Sequence, residues 1–171
     1  VTLPGLGSAT GTAECDRTTA YVTFTSFNFP TTIFEADLAT PTAPLVIWER
    51  PAAPVREDSV SVEQVWYPSR DGTPISMFVI HRTNLERDGN VPCLVTGYGG
   101  FNISLTPSFS SSRVAWLENG GIYAVPNLRG GGEYGEKWHV AGTKMQKQNV
   151  FDDFIAAGEY LITNKYTSSG F

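Results

Sequence analysis

Apolar and small polar residues alternate over Ala20–Phe27 (AYVTFTSF), and the two-residue period returns in TTIFEADL (Thr31–Leu38) and PLVIWE (Pro44–Glu49). Such alternation predicts half-buried strands, and the Asn28-Phe29-Pro30 and Thr40-Pro41-Thr42 clusters between them predict turns. Three or four short antiparallel strands cannot bury both faces alone, so residues 1–50 read as one sheet of a larger all-β body such as a propeller blade. The texture changes at Glu49–Asp58 (ERPAAPVRED), and 51–59 reads as a linker rich in proline and charge.

From residue 60 the apolar runs lengthen. SVEQVWYPS and PISMFVIHR flank Ser69-Arg70-Asp71-Gly72, a strong hairpin signal. PCLVT and GIYAVPNL are continuous apolar runs that each end in glycines, which predicts strands of a buried, mainly parallel sheet. Pro126 fits poorly inside the second run, since proline breaks a central ladder. Near Asn149 the period changes to three and four: Phe151, Phe154, Ile155, Gly158, Leu161 and Ile162 fall on one face of a predicted helix. Asn149 is placed to cap that helix, and Asp152 and Asp153 to put negative charge in its first turn. The order strand, glycine turn, strand, glycine turn, helix predicts an α/β domain over 60–171.

The 171-residue chain is 41% hydrophobic and carries a net charge of −5 without a basic cluster, which argues for a folded protein and against a nucleic-acid partner. No apolar run approaches a membrane span, so no membrane partner is expected. Cys15 and Cys93 match no metal spacing and read as two reduced, largely buried thiols.

Two glycine turns carry the candidate chemistry. In LVTGYGGFN, Tyr98 stands between glycines at the end of a strand and Phe101 follows closely. In α/β-hydrolases an early glycine-rich loop supplies donors to the oxyanion hole. A phenol stays protonated at neutral pH and suits that task, while Phe101 offers an apolar face to a substrate. Taken alone, GYGG is weak evidence and reads more readily as a plain structural turn. The second turn, NLRGGGEYG (Asn127–Gly135), lacks the lysine of a phosphate loop, and its Arg129 is expected to pair with an acidic group such as Glu133.

A serine hydrolase also needs a nucleophile, a base and an acid. No G-x-S-x-G occurs: Ser8, Ser104, Ser110 and Ser168 all lack the required neighbours. His81 and His139 precede any position where a triad would begin and read as structural or surface residues. Asp152-Asp153 is no paired-carboxylate site, because neighbours on a helix point apart. Trp48, Trp66, Trp116 and Trp138 read as core or interface aromatics.

Taken together, YPSRDGTPISMFVIHR, GYGGFNIS, NLRGGGEYGEKWHVAG and KQNVFDDFIAAGEYLITNKYTS closely resemble the prolyl oligopeptidase family of serine peptidases, in the family's order. LPGLGS and FTSFNFPTTIFEADL resemble the end of that family's β-propeller. The resemblance implies an α/β-hydrolase peptidase domain whose N-terminal part lies in 60–171, preceded by the last strands of a propeller. It implies cleavage of short peptides after proline, with Tyr98 donating to the oxyanion and Phe101 lining the proline-binding S1 pocket. The partners it implies are a proline-containing peptide and the remainder of the same enzyme, with no metal or other cofactor. The family's nucleophile strand would begin just after YTSSGF, so the chain reads as an internal fragment, silent by itself. A cytoplasmic enzyme is implied, with a periplasmic or secreted one left open because the chain does not start with methionine. Oligopeptidase B is similar in RGGGE but lacks the GGF ending, and a non-catalytic binding module on the same loops is the remaining alternative.

Overall fold

A computed structural model describes residues 2–13, 15, 18–53 and 57–170. The chain forms two compact units, one of residues 1–57 with 106–114, the other of 58–105 with 115–171. Of the 51–59 stretch read as a linker, residues 54–56 lie outside the described residues, and Glu57–Ser59 form one 3-10 turn.

The first unit is a four-stranded antiparallel meander, β1 (Ser8–Ala13), β2 (Thr19–Thr25), β3 (Thr32–Asp37) and β4 (Val46–Glu49), paired in chain order as in a propeller blade. Alternation does what the sequence predicts on its inner strands. Ala20 and Phe24 of β2 and Thr32 and Phe34 of β3 are buried, and Phe29 meets both Phe24 and Phe34 at ring centroids of 5.3 and 6.4 Å. The edge strand β4 is exposed along its whole length, Trp48 included, although the Tyr21 ring meets Trp48 edge-on at 5.3 Å. Residues 106–114 join this unit through Phe109, whose amide donates to the Thr25 hydroxyl (3.1 Å), and Pro107, whose carbonyl accepts from Ser8 (2.7 Å).

The second unit holds β5 (Val60–Pro68), β6 (Pro74–Arg82), β7 (Cys93–Val95), β8 (Ile122–Pro126) and two helices, α2 (Glu136–Val140) and α3 (Gln148–Thr163). A further helix, α1 (Ser111–Glu118), lies on the connection from β7 to β8, and the partition between the units falls inside it. The sheet order is β5-β6-β8-β7. The hairpin expected at Ser69–Gly72 is present, with β5 and β6 in register from Val60↔Arg82 to Pro68↔Pro74. Its turn is closed by Gly72 N–H to the Ser69 carbonyl (2.9 Å) and Ser69 N–H to the Thr73 carbonyl (2.8 Å).

The expectation of a mainly parallel sheet is corrected: β5–β6 and β6–β8 are antiparallel, and only β7–β8 is parallel. A continuous apolar run reports burial on both faces, not strand direction. Ile75–His81 is buried throughout, yet both its neighbours run antiparallel to it. The parallel pair is the one joined by a connection long enough to cross over, and that connection includes α1. Pro126 sits at the end of β8, beyond Ala124, the last residue in register with β7, so no parallel ladder bond is lost.

The helix at 149 forms, but three expectations about it fail. It starts at Gln148 without a side-chain cap, and the Asn149 amide donates instead to the Ala141 carbonyl at 2.8 Å. Its first turn contains no acidic residue. Its buried face is Val150, Asp153, Ala156, Ala157 and Leu161, whereas Phe151, Phe154, Ile155 and Ile162 are exposed. Small alanines let α3 approach the sheet closely, where the core is Ile75, Met77, Val79, Ile122 and Ala124. The larger residues mark a second apolar side of the same helix. The thiol expectation fails in part too: both cysteines are free, but Cys15 lies on the surface. Cys93 is half-buried, and burial pushes its thiol up to about 12.

Candidate functional site

Strands β7 and β8 each run into a glycine turn, and the two turns interlock backbone to backbone. Gly99, at φ 60°, is buried, and a Cβ there would stand 2.5 Å from Val150 Cγ1 and 2.9 Å from Leu128 Cβ. Gly130, at φ 91°, would place a Cβ 2.7 Å from the Gly99 carbonyl oxygen. Only glycine satisfies both the left-handed backbone and the absence of space. Hydrogen bonds finish the joint: Asn102 N–H donates to the Gly130 carbonyl (3.2 Å), and Gly132 N–H donates to the Ile103 carbonyl (3.3 Å). The Glu133 carboxylate accepts from Leu105 N–H at 2.8 Å, which stitches the first turn to the second from the far side.

Behind this joint lies a buried charge centre. Arg129, 4% exposed, sends its guanidinium to Asp153 (Nη2–Oδ1 2.6 Å) and to Asp71 (Nη1–Oδ2 2.5 Å). The expected partner Glu133 is therefore wrong, and Asp153 is a buried ion-pair partner rather than helix-start charge. Asp153, fully buried, also accepts from the Arg129 backbone N–H (3.0 Å) and the Ser69 hydroxyl (2.6 Å), so its desolvation is offset by several donors. Its backbone carbonyl accepts from Tyr67 Oη at 2.8 Å. The hydrogen bond from Arg129 holds the Asp71 carboxyl down to about 2, with the Thr73 donors adding to the shift. Burial works against the Arg129 charge, but its bonds to Asp153 and Asp71 outweigh it and raise the guanidinium above its ordinary value. The centre thus ties the β5–β6 turn, the second glycine turn and α3 to one point.

The tip of the first turn is built in the opposite way. Tyr98 is 49% and Phe101 83% exposed, with ring centroids 6.4 Å apart and planes tilted by 35°. Phe101 (φ 53°) and Asn102 (φ 58°) are consecutive non-glycine residues in the left-handed region. Each such L-residue costs about 1–2 kcal/mol, which the surrounding bonds must hold in place. Those bonds are Ile103 N–H to the Gly100 carbonyl (3.0 Å), the Asn102–Gly130 bond, and Lys147 Nζ to the Gly99 carbonyl (2.7 Å). A phenol and a phenyl ring are so presented to solvent on a strained, well-anchored turn.

The two histidines both make hydrogen bonds within the second unit. His81 is 5% exposed and bonded through Nε2 to Glu63 (3.0 Å) and through Nδ1 to the Arg82 carbonyl (2.6 Å). Burial of Glu63 opposes its charge, yet bonds from Tyr166 and His81 and the nearby Arg87 lower its pKa. His139 Nδ1 meets the Gly130 carbonyl at 2.7 Å and so braces the second turn. The tryptophans divide: Trp116 and Trp138 are half-buried and donate to the carbonyls of Ile122 and Leu128, while Trp48 and Trp66 are exposed. Among the described residues no group of His, Cys, Asp or Glu could hold a metal ion, and no helix is long and apolar enough to cross a membrane.

Sequence reasoning missed the Arg129–Asp153–Asp71 centre and Lys147. A signal for Asp153 exists: it lies three residues after Val150 and four before Ala157, on the small-residue side of the helix, where a carboxylate needs a buried cation. Lys147 gives no such signal, because its partner is a backbone carbonyl.

The second unit is an α/β domain whose strand ends deliver interlocked loops, the kind of framework in which ligands gather beyond the strand ends. Residues 107–170 match the prolyl oligopeptidase family (Peptidase_S9). A prolyl endopeptidase of Elizabethkingia meningoseptica is 50% identical over 169 residues, which is 98% of this chain and 24% of that protein. A solved prolyl endopeptidase structure superposes with a TM-score of 0.90 at 50% identity, over 98% of this chain and 24% of its own. Prolyl oligopeptidase B from Galerina marginata, solved with a 35-residue hydrolysis and macrocyclization substrate, gives a TM-score of 0.89 at 39% identity, over 99% of this chain and 24% of its own. The chain belongs to the prolyl oligopeptidase family. It spans about a quarter of the length of the relatives it matches.

Proposed function

We propose that this chain is the part of a serine-type endopeptidase that supplies an oxyanion donor and one wall of the S1 pocket, in an enzyme that cuts short peptides after proline. The observation that carries this reading is the exposed Tyr98–Phe101 pair on a strained turn anchored at both ends. Serine, histidine and acid come from outside the 171 residues, which contain no G-x-S-x-G. The serine attacks the proline's own carbonyl carbon and the histidine takes its proton. Negative charge collects on the carbonyl oxygen until the C–N bond breaks and the amine leaves with the proton from the histidine. The Tyr98 hydroxyl donates to that oxygen and remains a phenol throughout. Donors of this kind contribute about 3 kcal/mol because they are already aimed where charge will form. Phe101, held outward by its left-handed backbone, packs against the proline ring. Acyl transfer of this type is complete without a metal or organic cofactor. Residues 1–50 belong to the propeller and 60–171 to the peptidase domain, with 51–59 joining them.

The test compares proline- and arginine-directed fluorogenic peptides on the intact protein that carries this chain. Cleavage after proline is expected to exceed cleavage after arginine by about a hundred-fold or more in kcat/KM. A preference for arginine would transfer the protein to an oligopeptidase B-like specificity. The 171-residue chain by itself is expected to bind no fluorophosphonate probe, and stoichiometric labelling would overturn its silence.

A further inference from the structure

The softest joint in the Tyr98 turn is the peptide between Gly99 and Gly100. Rotation of that plane changes only two glycine dihedrals, and the close approach of Gly130 to the Gly99 carbonyl oxygen limits it on one side. Gly99 must be glycine, as its surroundings show, but Gly100 is not confined: a Cβ there would have its nearest neighbours at 3.8 Å (Tyr98) and 4.0 Å (Lys147). Two glycines in sequence therefore leave a swivel between the residue that carries the phenol and the residue that carries the phenyl ring. The carbonyl of this same peptide accepts the Lys147 ammonium at 2.7 Å. Lys147 immediately precedes α3, which Asp153 ties to the second turn through Arg129 and whose Val150 stands against Gly99 itself. The hydrogen bonds from Asn102 and Ile103 go to the Gly130 and Gly100 carbonyls, so that of Lys147 is the side-chain bond made to the Gly99 carbonyl, beside its packing on Gly130.

We infer that Lys147 is a positioning residue for the proposed reaction: its ammonium holds the Gly99 carbonyl and so fixes the backbone from which the Tyr98 side chain is aimed. The inference rests on the peptidase reading of Tyr98. A charge-assisted bond is stronger than a neutral one, and its donor is anchored to a helix end rather than to the loop it restrains. The bond adds little to global stability because Lys147 is exposed, but small displacements of a catalytic group cost rate steeply.

In the intact protein, Lys147→Met keeps most of the stem and removes the donor. It is expected to lower kcat for proline-directed cleavage about ten-fold while KM stays within about two-fold, with an unchanged unfolding midpoint. Lys147→Arg restores a cationic donor and recovers most of the lost kcat. In a Tyr98→Phe background the Lys147→Met change costs clearly less, because no phenol remains to be aimed. Unchanged kcat in Lys147→Met, an equal loss in both backgrounds, or a lost activity that tracks a fall in the unfolding midpoint overturns the positioning role and leaves the Tyr98 reading standing. Full kcat in Tyr98→Phe alone defeats the Tyr98 reading, and the role of Lys147 with it.

Discussion

Around Arg129, donors from the guanidinium, the backbone and Ser69 converge on two carboxylates, one of them fully buried. On the other side of the interlocked backbone, half-exposed Tyr98 and exposed Phe101 stand on glycine and left-handed conformations. The first turn is strained and open at its tip; the second is closed around its ion pair, although Glu133 Oε2 is buried in it without a hydrogen-bond partner. The difference separates two roles that a single loop could not hold. Strain and exposure are tolerated at the tip because the base cannot yield: removing one partner of its ion pair would leave a buried charge uncompensated.

The contrast breaks most readily at the base. Asp153→Ala leaves the Arg129 guanidinium buried without its main partner and is expected to destabilise the second unit by about 3–5 kcal/mol, read from the urea unfolding midpoint. Gly99→Ala forces a Cβ onto Val150 and Leu128 and strains a left-handed backbone, for a loss of about 2–3 kcal/mol in the same measurement. A smaller effect lies in acid. The Asp71 carboxyl falls from its ordinary 3.8 to about 2 in the fold, so its contribution is complete above pH 3.8 and is lost as pH drops towards 2. Half of its side chain faces water, which limits the effect to about 1 kcal/mol, and Asp71→Asn should abolish this part of the pH dependence in acid titrations of stability. The smallest effect is at the tip. Phe101→Gly relieves a left-handed L-residue and is expected to shift stability by less than about 1 kcal/mol, while raising KM for proline peptides. A large destabilisation there would erase the distinction between tip and base.

The sequence reveals the tip better than the base. Glycines flanking aromatics at a strand end are visible as a pattern, and the hairpin at Ser69–Gly72 follows from its turn residues alone. Strand direction is not visible in the same way, because Ile75–His81 and Ile122–Pro126 are buried runs whatever their orientation. The face of α3 is misread for a related reason: bulky Phe151, Phe154 and Ile155 dominate any count of apolar residues, yet Ala156 and Ala157 make the close contact. The Arg129 centre joins residues 58 and 24 positions apart, and no local period encodes such a meeting. Arg129 and Glu133 are neighbours in the chain, but the glycines between them turn the two side chains to different partners.

The most direct measurement compares Tyr98→Phe with the unaltered intact protein, following kcat on a proline-directed peptide and unfolding in urea on the same samples. A phenol that serves only the oxyanion predicts a fall in kcat of about a hundred-fold or more, with stability within about 0.5 kcal/mol. Unchanged kcat, or a loss of stability large enough to explain the lost activity, would contradict it.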